Sequence, residues 1–236
     1  MTLDKLIYDI REGVNQFSDD TEISDRYITY LLEIKRAKYL RQGLNNFQKT
    51  YDNSITQSLC IDLEEVNVNE CGLDYECDTI LRSTVPIPTP LDLDTNVALK
   101  SVKPTNRLAV NFNFITKKRA QYLSGARFNK ALYSFLDPDG YIYVVSGEGN
   151  NHYKLLECLT ITGVFTDPLA LAEFSNCCGC TTATPCFDAS TTEYPLQPHY
   201  IDLIREEIIK ALVVKLQIPE DKTNNSNDDI QNGKSS

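Results

Sequence analysis

Three cysteines crowd into Cys177-Cys178-Gly179-Cys180, with Cys186 just behind them and Cys158 upstream. Thiolates are the natural ligands of structural zinc, which takes four donors in a tetrahedron. Cys158, Cys177, Cys178, Cys180 and Cys186 are therefore the candidate metal ligands of the chain. Cys177-x-x-Cys180 has finger-like spacing, but no second Cys-x-x-Cys pair lies at a ribbon-like distance. The plainer reading, a small-residue loop with reduced thiols or one incidental disulfide, fits that spacing better. Cys60, Cys71 and Cys77 are read as thiols as well. The start Met1-Thr2-Leu3-Asp4-Lys5 lacks the basic and apolar regions of a secretory signal, so an oxidising compartment is not expected. The expectation is a chain with no cofactor and no bound metal.

Other reactive groups are scarce. The only histidines are His152 and His199, which leaves little for His-based triads or multi-His metal centres. The carboxylate pairs Glu64-Glu65, Asp92/Asp94 and Asp137/Asp139 fall in turns or on strand faces, where such residues are usually just solvated. Gly147-x-Gly149 lacks the third glycine of a dinucleotide loop and opens no helix, so it reads as a hairpin turn. No nucleophile–base arrangement emerges, and the chain is not expected to be an enzyme. Lys and Arg number 23 against 33 Asp and Glu, a net charge of −10, which argues against a broad basic face for nucleic acid. No apolar run approaches the ~20 residues of a membrane span.

The elements that position these groups follow from periodicity. At 236 residues one domain is the better count once a polar tail is set aside. Segment 1–52 reads as helical. Leu3, Leu6, Ile7 and Ile10 repeat at helix spacing with Gly13 as a stop, and a second helix runs over about 24–42, closed by Gly43. Its apolar stripe is Tyr27, Tyr30, Leu31, Ile34, Ala37 and Leu40. From about residue 55 the period changes to two, with Ile55, Leu59, Ile61 and Leu63 on one side. Strand character recurs over 79–81, 97–103, 108–114 and 153–165. Asp137-Pro138-Asp139-Gly140 joins 131–136 to 141–145 as a hairpin, since Pro presets φ and Gly accepts a positive one. Segment 115–122 reads as a short helix and 169–174 as a single turn. The β-rich region thus spans 53–197, including a Cys-containing loop over 175–195. A C-terminal helix follows over 198–218 with the stripe Ile201, Ile204, Ile208, Ala211, Leu212 and Leu216. Residues 219–236 are polar and read as a flexible tail. The fold class is α+β: helices at both ends flanking an antiparallel β region.

Packing against neighbours is the remaining way to work. Tyrosines outnumber phenylalanines, 13 to 9, and Tyr joins an apolar body to a polar tip, which suits interfaces. Interface candidates are Tyr27, Tyr30, Lys35, Arg36, Lys38 and Arg41 on the second helix and Ile201, Ile204, Ile208 and Leu212 on the last. The basic cluster is either a solvated face matched to the helix dipole or a docking face for an acidic partner or a phosphate.

Several strings carry a resemblance. Asp19-Asp20-Thr21-Glu22-Ile23-Ser24-Asp25-Arg26-Tyr27-Ile28 continues through Lys35-Arg36-Ala37-Lys38-Tyr39-Leu40-Arg41-Gln42 and Asn53-Ser54-Ile55-Thr56-Gln57-Ser58-Leu59-Cys60-Ile61-Asp62-Leu63-Glu64. Later echoes are Leu81-Arg82-Ser83 with Pro86 and Pro88, Val164-Phe165-Thr166-Asp167-Pro168, and Tyr194-Pro195-Leu196. Together they resemble head–tail connector (neck, ring or adaptor) proteins of crAss-like and related tailed bacteriophages. The resemblance implies a non-enzymatic virion protein in the neck between capsid and tail, assembled in the host cytoplasm. It implies self-association in a twelve-fold ring, docking to the portal and other neck or tail proteins, and a lumen through which genomic DNA passes without sequence-specific binding. No membrane partner is implied. On that reading the C-terminal helix and tail would order on binding a portal or a neighbouring ring. The cysteine crowding is not a feature the resemblance requires. It leaves a zinc-stabilised binding module built on 158–186 as the alternative, which metal content would separate from the structural reading.

Overall fold

The computed structural model describes residues 1–15, 23–45, 52–72, 79–105, 111–123, 131–146, 151–175 and 184–216. Helices α1 (Leu3–Asn15) and α2 (Asp25–Asn45) lead. Strands β1 (Gln57–Asn67), β2 (Thr79–Ser83), β3 (Leu99–Pro104) and β4 (Asn113–Phe114) follow, then the short helix α3 (Lys117–Gln121). Strands β5 (Leu132–Leu136), β6 (Ile142–Ser146) and β7 (Cys158–Gly163) complete the sheet, and helix α4 (Pro198–Leu216) follows. This is the expected α+β arrangement. The sheet order is β3-β7-β1-β2-β6-β5-β4, antiparallel throughout except where β4 runs parallel to β5.

Strand β1 serves two half-sheets. Its first half pairs with β7, from Gln57 opposite Gly163 to Asp62 opposite Cys158. Its second half pairs with β2, from Leu63 opposite Ser83 to Asn67 opposite Thr79. Leu59, Cys60 and Ile61 are buried in succession, so both faces are covered there and simple alternation is lost. Elsewhere the pleat sorts residues cleanly. On β6, Ile142 and Val144 enter the larger core, while Tyr143 and Val145 face a smaller core with Ile80, Phe135 and Ala120 of α3. The β5–β6 hairpin forms as expected around Gly140, whose φ of 85° only glycine adopts without strain.

The helices cover the larger core. Leu3, Leu6, Ile10 and Val14 of α1 and Ile204, Ile208 and Leu212 of α4 are buried. Each large apolar side chain so buried contributes about 1.5–3 kcal/mol relative to exposure. Helix α4 is therefore already packed within the chain, against α1 and α2, and does not await a partner to form. The tail over 219–236 lies outside the described residues.

Two helix ends differ from expectation. Gly13 sits inside α1, where a side chain would meet Ile209 Cδ1 at 2.5 Å, so it marks a close approach of α1 to α4 and not a stop. Gly43 lies buried inside α2, which runs on to Asn45. The stripe of α2 is also displaced. The buried positions are Ile28, Leu32, Arg36, Leu40 and Leu44, spaced at four residues, while Tyr30 and Ile34 are exposed. Of the strand expected over 108–114, Asn113 and Phe114 form β4 and the Phe112 N–H donates to the Val102 carbonyl of β3, while 106–110 lies outside the described residues.

Candidate interaction surfaces

Helix α2 carries the expected basic cluster, and the fold engages each of its four charges internally. Arg36 is fully buried. Its Nε donates to the Pro195 carbonyl at 2.9 Å and its Nη1 to the Phe165 carbonyl at 2.7 Å, with a longer contact to the Thr166 carbonyl at 3.5 Å. The Tyr194 ring lies 5.8 Å from the guanidinium carbon, a cation–π contact inside the core. Burial pulls the guanidinium below its ordinary pKa, while Tyr194, Asp167 and Glu33 pull it back. Arg36 thus pins α2 to two distant loops, and its placement as a surface contact is corrected: it lies in the monomer's own core.

The other three cations reach out along the helix. Lys35 and Lys38 pair with Glu207 of α4 at 3.2 and 3.5 Å. Burial pushes the Glu207 carboxyl up, but the two lysines more than offset this and leave it below the usual carboxylate range. Arg41 Nε donates to the Asp92 carbonyl at 2.8 Å. The cluster is a set of internal ties between α2, α4 and the loop before β3. Of the two readings of the cluster, a solvated face matched to the helix dipole or a docking face, neither foresaw that the chain itself engages these charges.

On α4 the candidates divide in the same way. Ile204, Ile208 and Leu212 belong to the core, and Ile201 is half-buried against it. As surface contacts they are corrected too, because the chain itself already covers them. Tyr39 and Tyr200 meet across α2 and α4 with ring centroids 5.3 Å apart. On the hairpin side Tyr143 and Tyr153 are buried, so neither offers a surface.

What α2 does expose is a groove on its outward face. It has a volume of about 570 Å³, and Tyr30, Ile34, Ala37, Lys38, Arg41 and Glu33 line it on the helix side. Thr166 closes the other side. Tyr30 is 56% exposed and Ile34 45%, and Tyr27 stacks on Tyr30 at 6.5 Å. Burial first, and then the neighbouring Asp167 carboxylate, raise Glu33 above the ordinary carboxylate range against the pull of Arg36. Sequence reading placed Tyr30 and Ile34 in the core stripe. The signal that could have corrected it is the second series Ile28, Leu32, Leu40, Leu44, which repeats every fourth residue.

The cysteines part company. Cys60 is disulfide-bonded, which departs from the expectation of reduced thiols. Cys158 and Cys186 are free. The Cys158 Sγ donates to Asp62 Oδ1 at 3.3 Å; burial, then that carboxylate, push the thiol up to about 11. Burial likewise pushes Cys186 up to about 11. Cys177, Cys178 and Cys180 lie outside the described residues. Among the described residues no three His, Cys, Asp or Glu side chains converge as metal ligands do. The carboxylate pairs hold structure instead: Glu64 takes Arg82 at 2.6 Å, and Asp137 takes Lys117 at 2.9 Å.

Comparison with known proteins agrees with a chain built to pack against others. The family described as phage tail ring protein 2 matches residues 5–230. Ring protein 2 of Bacteroides phage crAss001 is 27% identical over 231 residues, covering 98% of each chain.

Proposed function

This chain belongs to the phage tail ring protein family, and from that premise we propose that it is a head–tail connector subunit. In this reading copies form a closed ring in the neck of the virion, twelve-fold like the portal it meets. The ring docks to the portal or to a neighbouring ring and extends the channel through which the genome passes. The function is structural and asks for no catalytic group.

The observation that carries the reading is the outward face of α2. That helix binds its own core through Ile28, Leu32, Arg36 and Leu40, and still presents Tyr30 and Ile34 to solvent. A subunit with a finished core and a further apolar groove has something left to cover. The net charge of −10 supports the channel part, because a negative wall repels phosphates and lets DNA slide without sticking. Helices at one side and an extended sheet at the other supply the two different faces that a head-to-tail ring requires.

The test is assembly. Purified chain is mixed with purified portal and followed by co-sedimentation and negative-stain imaging. A closed ring seated on the portal is the expected result. A chain that remains monomeric with and without portal overturns the proposal.

A further inference from the structure

The α2 groove has a counterpart at the far end of the molecule. Helix α3 ends in Tyr122, which is 84% exposed. Lys118 and Arg119 precede it by four and three residues, so all three share one side of the helix, and both cations are exposed. Phe114, the last residue of the edge strand β4, is exposed as well. Neither Lys118 nor Arg119 has a carboxylate partner among the described residues. This is a protruding aromatic flanked by two unspent positive charges.

The groove has the complementary character. Its floor is apolar, from Tyr30, Ile34 and Ala37; Glu33 lines it, with Asp167 next in the chain to Thr166, and the two cations on its wall, Lys38 and Arg41, are already engaged by Glu207 and the Asp92 carbonyl. Neither Glu33 nor Asp167 has an ion-pair partner among the described residues. Burial and then the Asp167 carboxylate make Glu33 harder to ionise, which a cation from outside would relieve.

Their positions suit a ring. Thr166, at the groove, follows β7, while α3 packs on β5. β7 and β5 are separated by four strand steps in the sheet, roughly 19 Å at ~4.8 Å per step. A knob and a socket on opposite ends of one subunit cannot satisfy each other within that subunit. Between copies they make a heterologous contact, which closes when the rotation per subunit divides a full turn.

We propose that the ring closes by seating Tyr122 of one copy in the α2 groove of the next, with Lys118 and Arg119 facing Glu33 and Asp167. The occupant of the groove is thus a second copy of this chain. The inference rests on the ring reading above and names its subunit contact.

Sedimentation velocity over a range of concentrations, with and without portal, tests it. Tyr122→Ala removes the knob and Ile34→Glu blocks the socket. Both sites are exposed, so the variants should melt like the parent chain, and each should weaken association about tenfold or more, as truncation of a central aromatic contact does. Glu33→Lys alone, and the double change Lys118→Glu with Arg119→Glu, should each weaken assembly. The combination of all three should restore it. If the parent assembles and Tyr122→Ala assembles equally well, this contact is overturned while the ring reading stands. If the single changes weaken assembly and the combination does not restore it, the two patches do not face each other and the pairing is overturned. If the parent chain never associates, on portal or alone, the ring reading itself fails and takes this inference with it.

Discussion

Arg36 occupies a position where an apolar residue would be expected, and carbonyl oxygens make that possible. A buried guanidinium with no carboxylate in ion-pair contact is tolerated only where hydrogen bonds and nearby charge offset its lost hydration, here with Asp167 and Glu33 supplying the charge. The Phe165 and Pro195 carbonyls provide two charge-assisted bonds, and Tyr194 provides a ring face. Removing the side chain leaves those carbonyls unpaired and a cavity beside them. Arg36→Ala should therefore lower stability by about 3 kcal/mol or more, read as a reduced urea midpoint. Loss of less than about 1 kcal/mol would show that the pin carries little. The free thiols make a second prediction. Cys158 and Cys186 titrate near 11 in the folded chain, above the ordinary thiol value of about 9, so the folded state holds its protons longer. Stability is then unaffected by them below about pH 9 and falls as pH rises towards 11. Alkylation by iodoacetamide at pH 8 should be slow at both sites and should accelerate only when the pH approaches 11 or the chain unfolds.

Among the elements, α4 gives the sharpest test. Its stripe closes the helical layer, and Ile208 has no exposed surface. Ile208→Ala should cost about 2–5 kcal/mol, measured by thermal or denaturant unfolding of the isolated chain. A neutral outcome would mean that α4 is loosely held and that its packing matters only in an assembly. The β3–β7 edge offers another. A side chain at Gly163 would meet the Ala98 carbonyl oxygen at 2.8 Å and Leu99 Cδ2 at 2.9 Å, where the β3–β7 register shifts. Backbone cannot give way as a flexible side chain can. Gly163→Ala should destabilise by about 1–3 kcal/mol, even though alanine is ordinarily easier to order than glycine.

For the whole molecule, charge and shape work together. With a net charge of −10 the chain should not retard duplex DNA in a gel at physiological salt, whereas a shift that disappears as salt is raised would reveal a cationic face. Subunit association through the Tyr122 and α2 contacts should weaken as salt rises, because Lys118 and Arg119 are exposed cations. The apolar part of that contact should persist, since Tyr30 and Ile34 do not depend on charge.

Much of this architecture was legible in advance, and for local reasons. The N-terminal helices, the Asp137–Gly140 hairpin, the short helix near 117 and the long C-terminal helix follow from periodicity and turn chemistry. These depend on neighbours in the chain, so they survive without knowledge of the rest. Which side of α2 faces inward is a different kind of fact. Its apolar residues cover more than one stripe, and either could have met the core. The choice rests on partners 129 and 159 residues away, the Phe165 and Pro195 carbonyls that accept from Arg36. The coverage of Ile204 and Ile208 and the opposed ends that carry Tyr122 and the groove also arise from distant contacts. Local spacing sets which elements form; long-range packing sets which of their faces remain to meet another molecule.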